Sequence, residues 1–119
     1  MDASFENTEA WKAARMLTNL VYDHCRRDPL ARDFGLRDQL QRAAVSVMNN
    51  VAEGWESRHR LEKCQAYNHA RRSCGEVRSM GYVLLDNKFV SAAEHAQLAV
   101  RCVQAGKLIS GLIRSLGDR

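Results

Sequence analysis

The segment 34–54, FGLRDQLQRAAVSVMNNVAEG, constrains the fold of this chain more than any other. Its apolar residues recur at spacings of three and four, which predicts one amphipathic helix with a stripe facing a core. That stripe consists of Leu36, Leu40, Ala43, Ala44, Val47 and Val51. Val45, Met48 and Ala52 widen the apolar surface to the side, where a surface helix ordinarily turns polar. A helix with this much apolar surface is expected to contact something besides its own core.

Apolar residues recur at helical spacing in three further segments, so the chain is expected to be all-α. The predicted helices span about residues 8–28, 36–54, 61–87 and 91–116. Thr8 is a good N-cap for the first helix, and Ser91 with Glu94 forms a capping box at the start of the last. Helices with short connections pack as antiparallel neighbours. The sequence therefore predicts a single domain, residues 1–119, folded as an up-down-up-down antiparallel four-helix bundle.

Three glycines carry specific expectations within these helices. Gly54 is expected to end the second helix in the left-handed conformation. Gly75 and Gly81 each lower helix propensity by about 1 kcal/mol relative to Ala. We expect them where a neighbouring helix must approach closely, with loose packing as the alternative.

Composition limits the partners and the location of the protein. The net charge is +4 and the pI about 9.1, which permits contact with nucleic acid without requiring it. No apolar run reaches the length of a membrane span, and the first residues lack the pattern of a secretory signal. The four cysteines form no C-x-x-C pair, so reduced, buried thiols in a cytoplasmic protein are expected, with no membrane partner.

The sequence contains no recognisable catalytic arrangement. The E-x-x-H motif of di-metal bundles does not occur, and no serine lies in a G-x-S-x-G context. A Gly-rich phosphate-binding loop is also missing from the sequence. The protein is therefore predicted to be non-enzymatic, with no catalytic residues, no metal and no cofactor.

The side surface of the second helix has two explanations. Val45, Met48 and Ala52 form either a self-association interface or a wide core-facing arc in an irregular bundle. Polar stripes on the second and third helices are equally ambiguous, since they fit a solvated face or a partly buried network between subunits. The residues that would join such a network are Arg42, Asn50, Glu53 and Glu76. We take self-association as the leading hypothesis.

A modest basic cluster supports an alternative hypothesis, binding to RNA or DNA. The residues expected to contact phosphates are Arg58, Arg60, Lys63, Arg71 and Arg72, around the link between the second and third helices and along the third. His59 and Arg78 belong to the same basic set. A phosphate backbone would be attracted to such a set. No aromatic platform accompanies it, so reading of individual bases is unsupported. A solvated basic face is the other interpretation.

The runs QLQRAAVSV at 39–47, NVAEG at 50–54 and ARRSCGEV at 70–77 resemble a known bacterial family. This is the four-helix-bundle family encoded by intervening sequences within 23S ribosomal RNA genes, also called S23 ribosomal proteins. The resemblance implies a ring-like homopentamer, with no known enzymatic activity. A more distant relative, an accessory protein of diversity-generating retroelements, binds nucleic acid and reverse transcriptase. The resemblance therefore implies a homo-oligomeric scaffold or adaptor, with nucleic-acid binding as the alternative.

Overall fold

Four long helices form the protein in a computed structural model that describes residues 4–117. They are α1 (Glu9–Cys25), α2 (Phe34–Glu56), α3 (Arg60–Asp86) and α4 (Ala92–Ser115), with short 3-10 turns at Phe5–Asn7 and Leu30–Arg32. Each helix packs against the two beside it, in the cyclic order α1, α2, α3, α4. Residues 4–117 contain no strand. The predicted all-α four-helix bundle is confirmed, and the helices begin and end within three residues of the expected positions.

The helix starts follow the chemistry of capping. The Thr8 hydroxyl accepts a hydrogen bond from Trp11 N at 3.2 Å. At the start of α4, the Ser91 hydroxyl accepts from Glu94 N at 3.1 Å, while the Glu94 carboxylate accepts from Ser91 N at 2.8 Å. Both predicted caps are therefore confirmed. Asp33 caps α2, a role that the sequence reasoning did not identify.

One continuous core runs along the bundle, and all four helices contribute to it. The apolar stripes of α1 and α3 are buried along their whole length. They consist of Ala10, Ala14, Leu17, Val21 and Cys25 in α1, and of Tyr67, Ala70, Cys74, Val77, Gly81 and Leu84 in α3. In α2 the stripe is buried except for Leu36, which is half-exposed. Towards the end of α4, Leu112, Ile113 and Leu116 pack against the core while remaining partly exposed.

The expectation for Gly54 is wrong. The helix α2 continues past it to Glu56, and Gly54 is a buried helical residue. A Cβ at this position would lie 2.4 Å from Cε1 of Tyr67, whose side chain is only 2% exposed. Gly54 is therefore required by the close approach of the Tyr67 ring on α3 and does not end the helix.

The two glycines of α3 differ from one another. A Cβ on Gly81 would lie 3.3 Å from Cδ2 of Leu98, so α4 approaches closely there as expected. A Cβ on Gly75 would have no heavy atom within 4 Å, so the expectation of a close helix approach at Gly75 is wrong. Gly75 is exposed and borders open space at the surface.

Candidate interaction surfaces

The apolar extension of α2 points towards α1. Val45, Met48 and Ala52 are all half-buried, and Met48 packs against the core. Val45 lines a groove together with Tyr22 of α1. Met48 therefore has a partner within the chain, as a wide core-facing arc would give it. All three residues retain part of their apolar surface, and the role of Val45, Met48 and Ala52 in an interface stays a prediction.

A more exposed apolar surface lies between α1 and α4. Met16 is 49% exposed and Leu108 is 39% exposed, and with Ala13 they line a groove of about 330 Å³. Val100 of α4 is 54% exposed as well. Arg101 lies beside this groove, with its guanidinium 4.0 Å from the Met16 sulfur. Sequence reasoning missed this surface, although Val100 and Leu108 fall outside the apolar stripe of α4 and could have indicated it.

Part of the predicted polar network lies within one subunit. The Ser46 and Ser73 hydroxyls are 2.9 Å apart and join α2 to α3. Asn50 Nδ2 donates to the Ser46 carbonyl at 2.8 Å and to its hydroxyl at 2.9 Å. Ser73 is 1% exposed, whereas Ser46 and Asn50 are partly exposed, so these bonds lie at the edge of the contact between the two helices. Asn50 therefore already has partners on its own chain.

The remaining members of the predicted network are charged and lie at the surface. Arg42 lies on the outer ridge of α2 and lines the grooves on both sides of that helix. Glu53 of α2 lines the groove on the α1 side of that helix, and Glu76 of α3 lines the groove between α2 and α3. None of the three forms an ion pair within residues 4–117. Their carboxylates and guanidinium are thus available to a second molecule.

Two members of the predicted basic cluster donate hydrogen bonds to backbone carbonyls at the ends of helices. Arg60 Nε donates to the Leu116 carbonyl at 3.0 Å, just beyond the end of α4. Lys63 Nζ donates to the carbonyls of Gly54 and Trp55, at 3.1 and 3.0 Å. A cation at a helix C-terminus satisfies carbonyls that have no partner within the helix. These contacts assign Arg60 and Lys63 to the joints between helices.

The other predicted basic residues lie at the surface. Arg58 and Arg72 are exposed. Arg71 donates to the Asn68 side chain at 3.3 Å and to the Ser110 hydroxyl of α4 at 3.4 Å. The joint role of the five cations in binding nucleic acid stays a prediction.

A different basic surface lies along the contact between α3 and α4. A groove of about 520 Å³ is lined by four exposed cations, Arg71, Arg78, Lys107 and Arg114. No carboxylate lines it, and none of the four cations forms an ion pair within the described chain. Sequence reasoning identified Arg71 and Arg78 as basic residues of the third helix and missed Lys107 and Arg114. The seven-residue spacing of Arg71 and Arg78, repeated by Lys107 and Arg114, is the signal that could have found them.

Charged groups also cluster where α1 ends and α4 begins. Arg27 forms an ion pair with Glu94 at 2.7 Å and donates to Nδ1 of the buried His24. Burial, reinforced by the Arg27 charge, lowers the pKa of His24 below its usual 6.5. The Ser91 backbone N–H and the Arg27 guanidinium lower the pKa of Glu94 to about 2. This cluster ties the two helix ends together.

The thiols are free and mostly buried. Cys25, Cys74 and Cys102 are buried, while Cys64 is half-exposed. Burial raises the pKa of Cys25 and Cys74 to about 11 and that of Cys102 to about 12. These three thiols therefore stay protonated at neutral pH. Within residues 4–117, no group of three or more His, Cys, Asp and Glu side chains is placed to hold a metal ion.

The four packed helices and their common core define an antiparallel four-helix-bundle protein. A model of the 23S rRNA-intervening sequence protein family matches residues 6–111, and the chain belongs to this family. Among solved structures, it is similar to a protein of unknown function from the S23 ribosomal protein family of Bacteroides thetaiotaomicron. The TM-score is 0.80 at 14% identity, over 88% of this chain and 95% of that one, which supports the fold.

A comparison with curated proteins finds no match for this chain. Among the helices of residues 4–117, none combines the length and the apolar character needed to cross a bilayer.

Proposed function

We propose that the protein is a non-enzymatic, cytoplasmic homo-oligomer that serves as a scaffold or adaptor. The observation that carries this proposal is the exposed apolar groove between α1 and α4, lined by Met16 and Leu108. Burying such surface is the main favourable contribution to most protein association. A second copy of this chain is the partner whose surface fits best, for the reasons that follow.

A ring of five, as the family resemblance implies, needs two different faces on every subunit. A twofold interface uses the same face twice and closes as a dimer, whereas a ring is built from head-to-tail contacts. The α1–α4 groove supplies one apolar face. The half-buried Val45 and Ala52, on the side of α2 towards α1, supply the other. In the proposed contact, the α1–α4 groove of one subunit receives α2 of the next.

Charge complementarity supports this pairing. The cations Arg101 and Lys107 line the α1–α4 groove, and no carboxylate lines it. The α2 face carries Glu53, whose carboxylate has no ion-pair partner within residues 4–117. Opposite charges across an interface fix its register and disfavour other arrangements.

A charge swap between the two faces tests the proposal. Arg101→Glu and Glu53→Arg, each alone, should place like charges across the contact and dissociate the assembly at micromolar concentration. The double variant should restore it, because the pair then has opposite signs again. Light scattering after size-exclusion chromatography measures the mass, and circular dichroism checks that helicity is retained.

Arg72→Glu is the matched control, since Arg72 is exposed and lines neither face. It should leave the mass of the assembly unchanged. If both single swaps and the control all keep the mass of the wild type, the proposed contact is wrong.

A further inference from the structure

The four cations of the α3–α4 groove are arranged in a line. A Cβ on Gly81 would lie 3.3 Å from Leu98 and 3.5 Å from His95, so Gly81 of α3 lies at the level of residues 95–98 of α4. Because the helices are antiparallel, Arg71, ten residues earlier on α3, lies at the level of residues 105–108, which include Lys107. Arg114 lies seven residues beyond Lys107 on α4, and Arg78 lies seven residues beyond Arg71 on α3, in opposite directions along the groove.

The spacing of these cations follows from the helical rise of about 1.5 Å per residue. Arg114 and Arg78 therefore each lie about 10 Å along the groove from the central pair, Arg71 and Lys107. The four cations cover about 20 Å, with the central pair on opposite walls. A single phosphate would reach only one or two of them. A linear chain of anions would contact all four.

The floor of the groove is open and uncharged. Gly75 on α3 and Gly106 on α4 both line it, and a Cβ at either position would have no heavy atom within 4 Å. Between them lie the thiols of Cys74 and Cys102, which are 4% and 2% exposed. Because burial raises the pKa of both thiols, they add no negative charge at neutral pH. An anion in the groove therefore meets no repulsion from the lining groups.

We propose that the α3–α4 groove binds the phosphodiester backbone of a single-stranded nucleic acid in an extended conformation. Three of its four cations are arginines, whose planar guanidinium matches two phosphate oxygens at once. The groove lies between neighbouring helices whose axes are about 8–10 Å apart, which is too narrow for a duplex to enter. No aromatic side chain lines it, so binding reads the backbone and has little base preference.

The groove lies within one subunit, and Arg71, Arg78 and Arg114 take no part in the proposed self-association, whereas Lys107 borders both grooves. Its basic surface also differs from the cluster expected from the sequence. Arg60 and Lys63 hold helix ends, whereas Arg58 and Arg72 lie outside the groove. This separation provides a control in which the net charge is matched.

The test measures the affinity of the full chain for a fluorescein-labelled oligothymidylate by anisotropy over a range of salt concentrations. Arg71→Glu with Arg78→Glu should weaken binding by at least about ten-fold more than Arg58→Glu with Arg72→Glu. Both double variants carry the same net charge. The groove variant should also flatten the salt dependence by about 1.4 in the log–log slope, because each phosphate that a cation neutralises on a single strand contributes about 0.7.

A second variant tests the shape of the groove without changing its charge. Gly75→Leu with Gly106→Leu fills the open floor, and leucine favours the helix more than glycine does. This variant should remain folded and bind at least about ten-fold more weakly if the strand must enter the groove. Light scattering and circular dichroism on every variant distinguish weaker binding from dissociation of the assembly and from unfolding.

Four outcomes would overturn the inference. They are absence of binding at low salt, equal weakening by the two charge variants, competition by polyglutamate as effective as that by oligothymidylate, and duplex DNA binding as tightly as the single strand. The third outcome would mean that the groove takes an acidic polypeptide.

Discussion

At the scale of single residues, the absence of a side chain at Gly54 sets how closely α2 and α3 approach. The ring of Tyr67 occupies the place where a Cβ would lie, and it is buried too deeply to swing into solvent. The Gly54 carbonyl also accepts a hydrogen bond from Lys63. One residue thus determines both the spacing of two helices and part of their joint.

Gly54→Ala should destabilise the fold by about 1–3 kcal/mol, because the new methyl group overpacks the contact with Tyr67. The matched control is Gly75→Ala, where the methyl group meets open space. That variant should gain up to about 1 kcal/mol from helix propensity. Urea unfolding followed by circular dichroism measures both changes. A Gly54→Ala protein as stable as the wild type would contradict the close approach of Tyr67.

His24 makes the stability depend on pH. Nδ1 accepts from Arg27, which leaves the proton of the neutral ring on Nε2, and Nε2 has no hydrogen-bond partner among the described residues. The folded protein lowers the pKa of His24 below 6.5, so the unfolded chain binds a proton first as the pH falls. The contribution of His24 to the free energy of unfolding is therefore expected to be fully present above pH 6.5 and to decrease as the pH falls below 6.5.

His24→Gln should remove this dependence. Between pH 8 and about 5, the free energy of unfolding should fall with decreasing pH in the wild type and stay flatter in the variant. Glu94 affects a separate pH range. Folding lowers its pKa from 4.5 to about 2, so its contribution to stability is present above pH 4.5 and is lost as the pH falls from 4.5 to about 2. His59→Gln, at an exposed position, is the control. Parallel curves for the wild type and His24→Gln would refute the assignment.

At the scale of helices, the joints depend on side chains from neighbouring elements. Lys63, near the start of α3, donates to two carbonyls near the end of α2. Arg60 does the same for the end of α4. Two cations that the sequence suggested as ligands for nucleic acid thus serve as caps.

Lys63→Met keeps most of the apolar stem while removing both hydrogen bonds, and should cost about 1–2 kcal/mol. Arg58→Met, which removes an exposed cation nearby, should change stability by less than about 0.5 kcal/mol. Thermal or urea unfolding distinguishes the two. Equal stability of both variants would show that the hydrogen bonds of Lys63 contribute nothing.

The sequence predicted the helices because their signals are local. The periodic stripes and the caps at Thr8 and Ser91 depend on residues within a few positions of each other. The role of Gly54 could not be predicted from such local signals. In the sequence, a glycine that ends a helix looks the same as a glycine that makes room for an aromatic ring, and only the position of Tyr67 on another helix distinguishes the two.

The same limit applies to the candidate surfaces. Met48 could be assigned to the core only after α1 was placed beside α2. The line of cations between α3 and α4 depends on the register of two helices, which the close approach of Leu98 and His95 to Gly81 establishes. Spacing along one helix could suggest that two of these cations share a face. It could not show that the second helix presents two more.

At the scale of the whole molecule, the cyclic order of the helices separates the surfaces. The apolar groove lies between α1 and α4, the basic groove between α3 and α4, and the charged ridge along α2. A ring that uses the α1–α4 groove and α2 would leave Arg71, Arg78 and Arg114 of the basic groove outside the contact, whereas Lys107 borders both grooves. Repetition around the ring would then strengthen the local positive field.

The mass of the wild-type protein in solution tests the central claim most directly. Light scattering coupled to size-exclusion chromatography, at micromolar concentration and physiological salt, should give a single species of about 68 kDa. That is five times the 13.5 kDa of one chain. A species that stays at 13.5 kDa across the concentration range would contradict the proposed assembly.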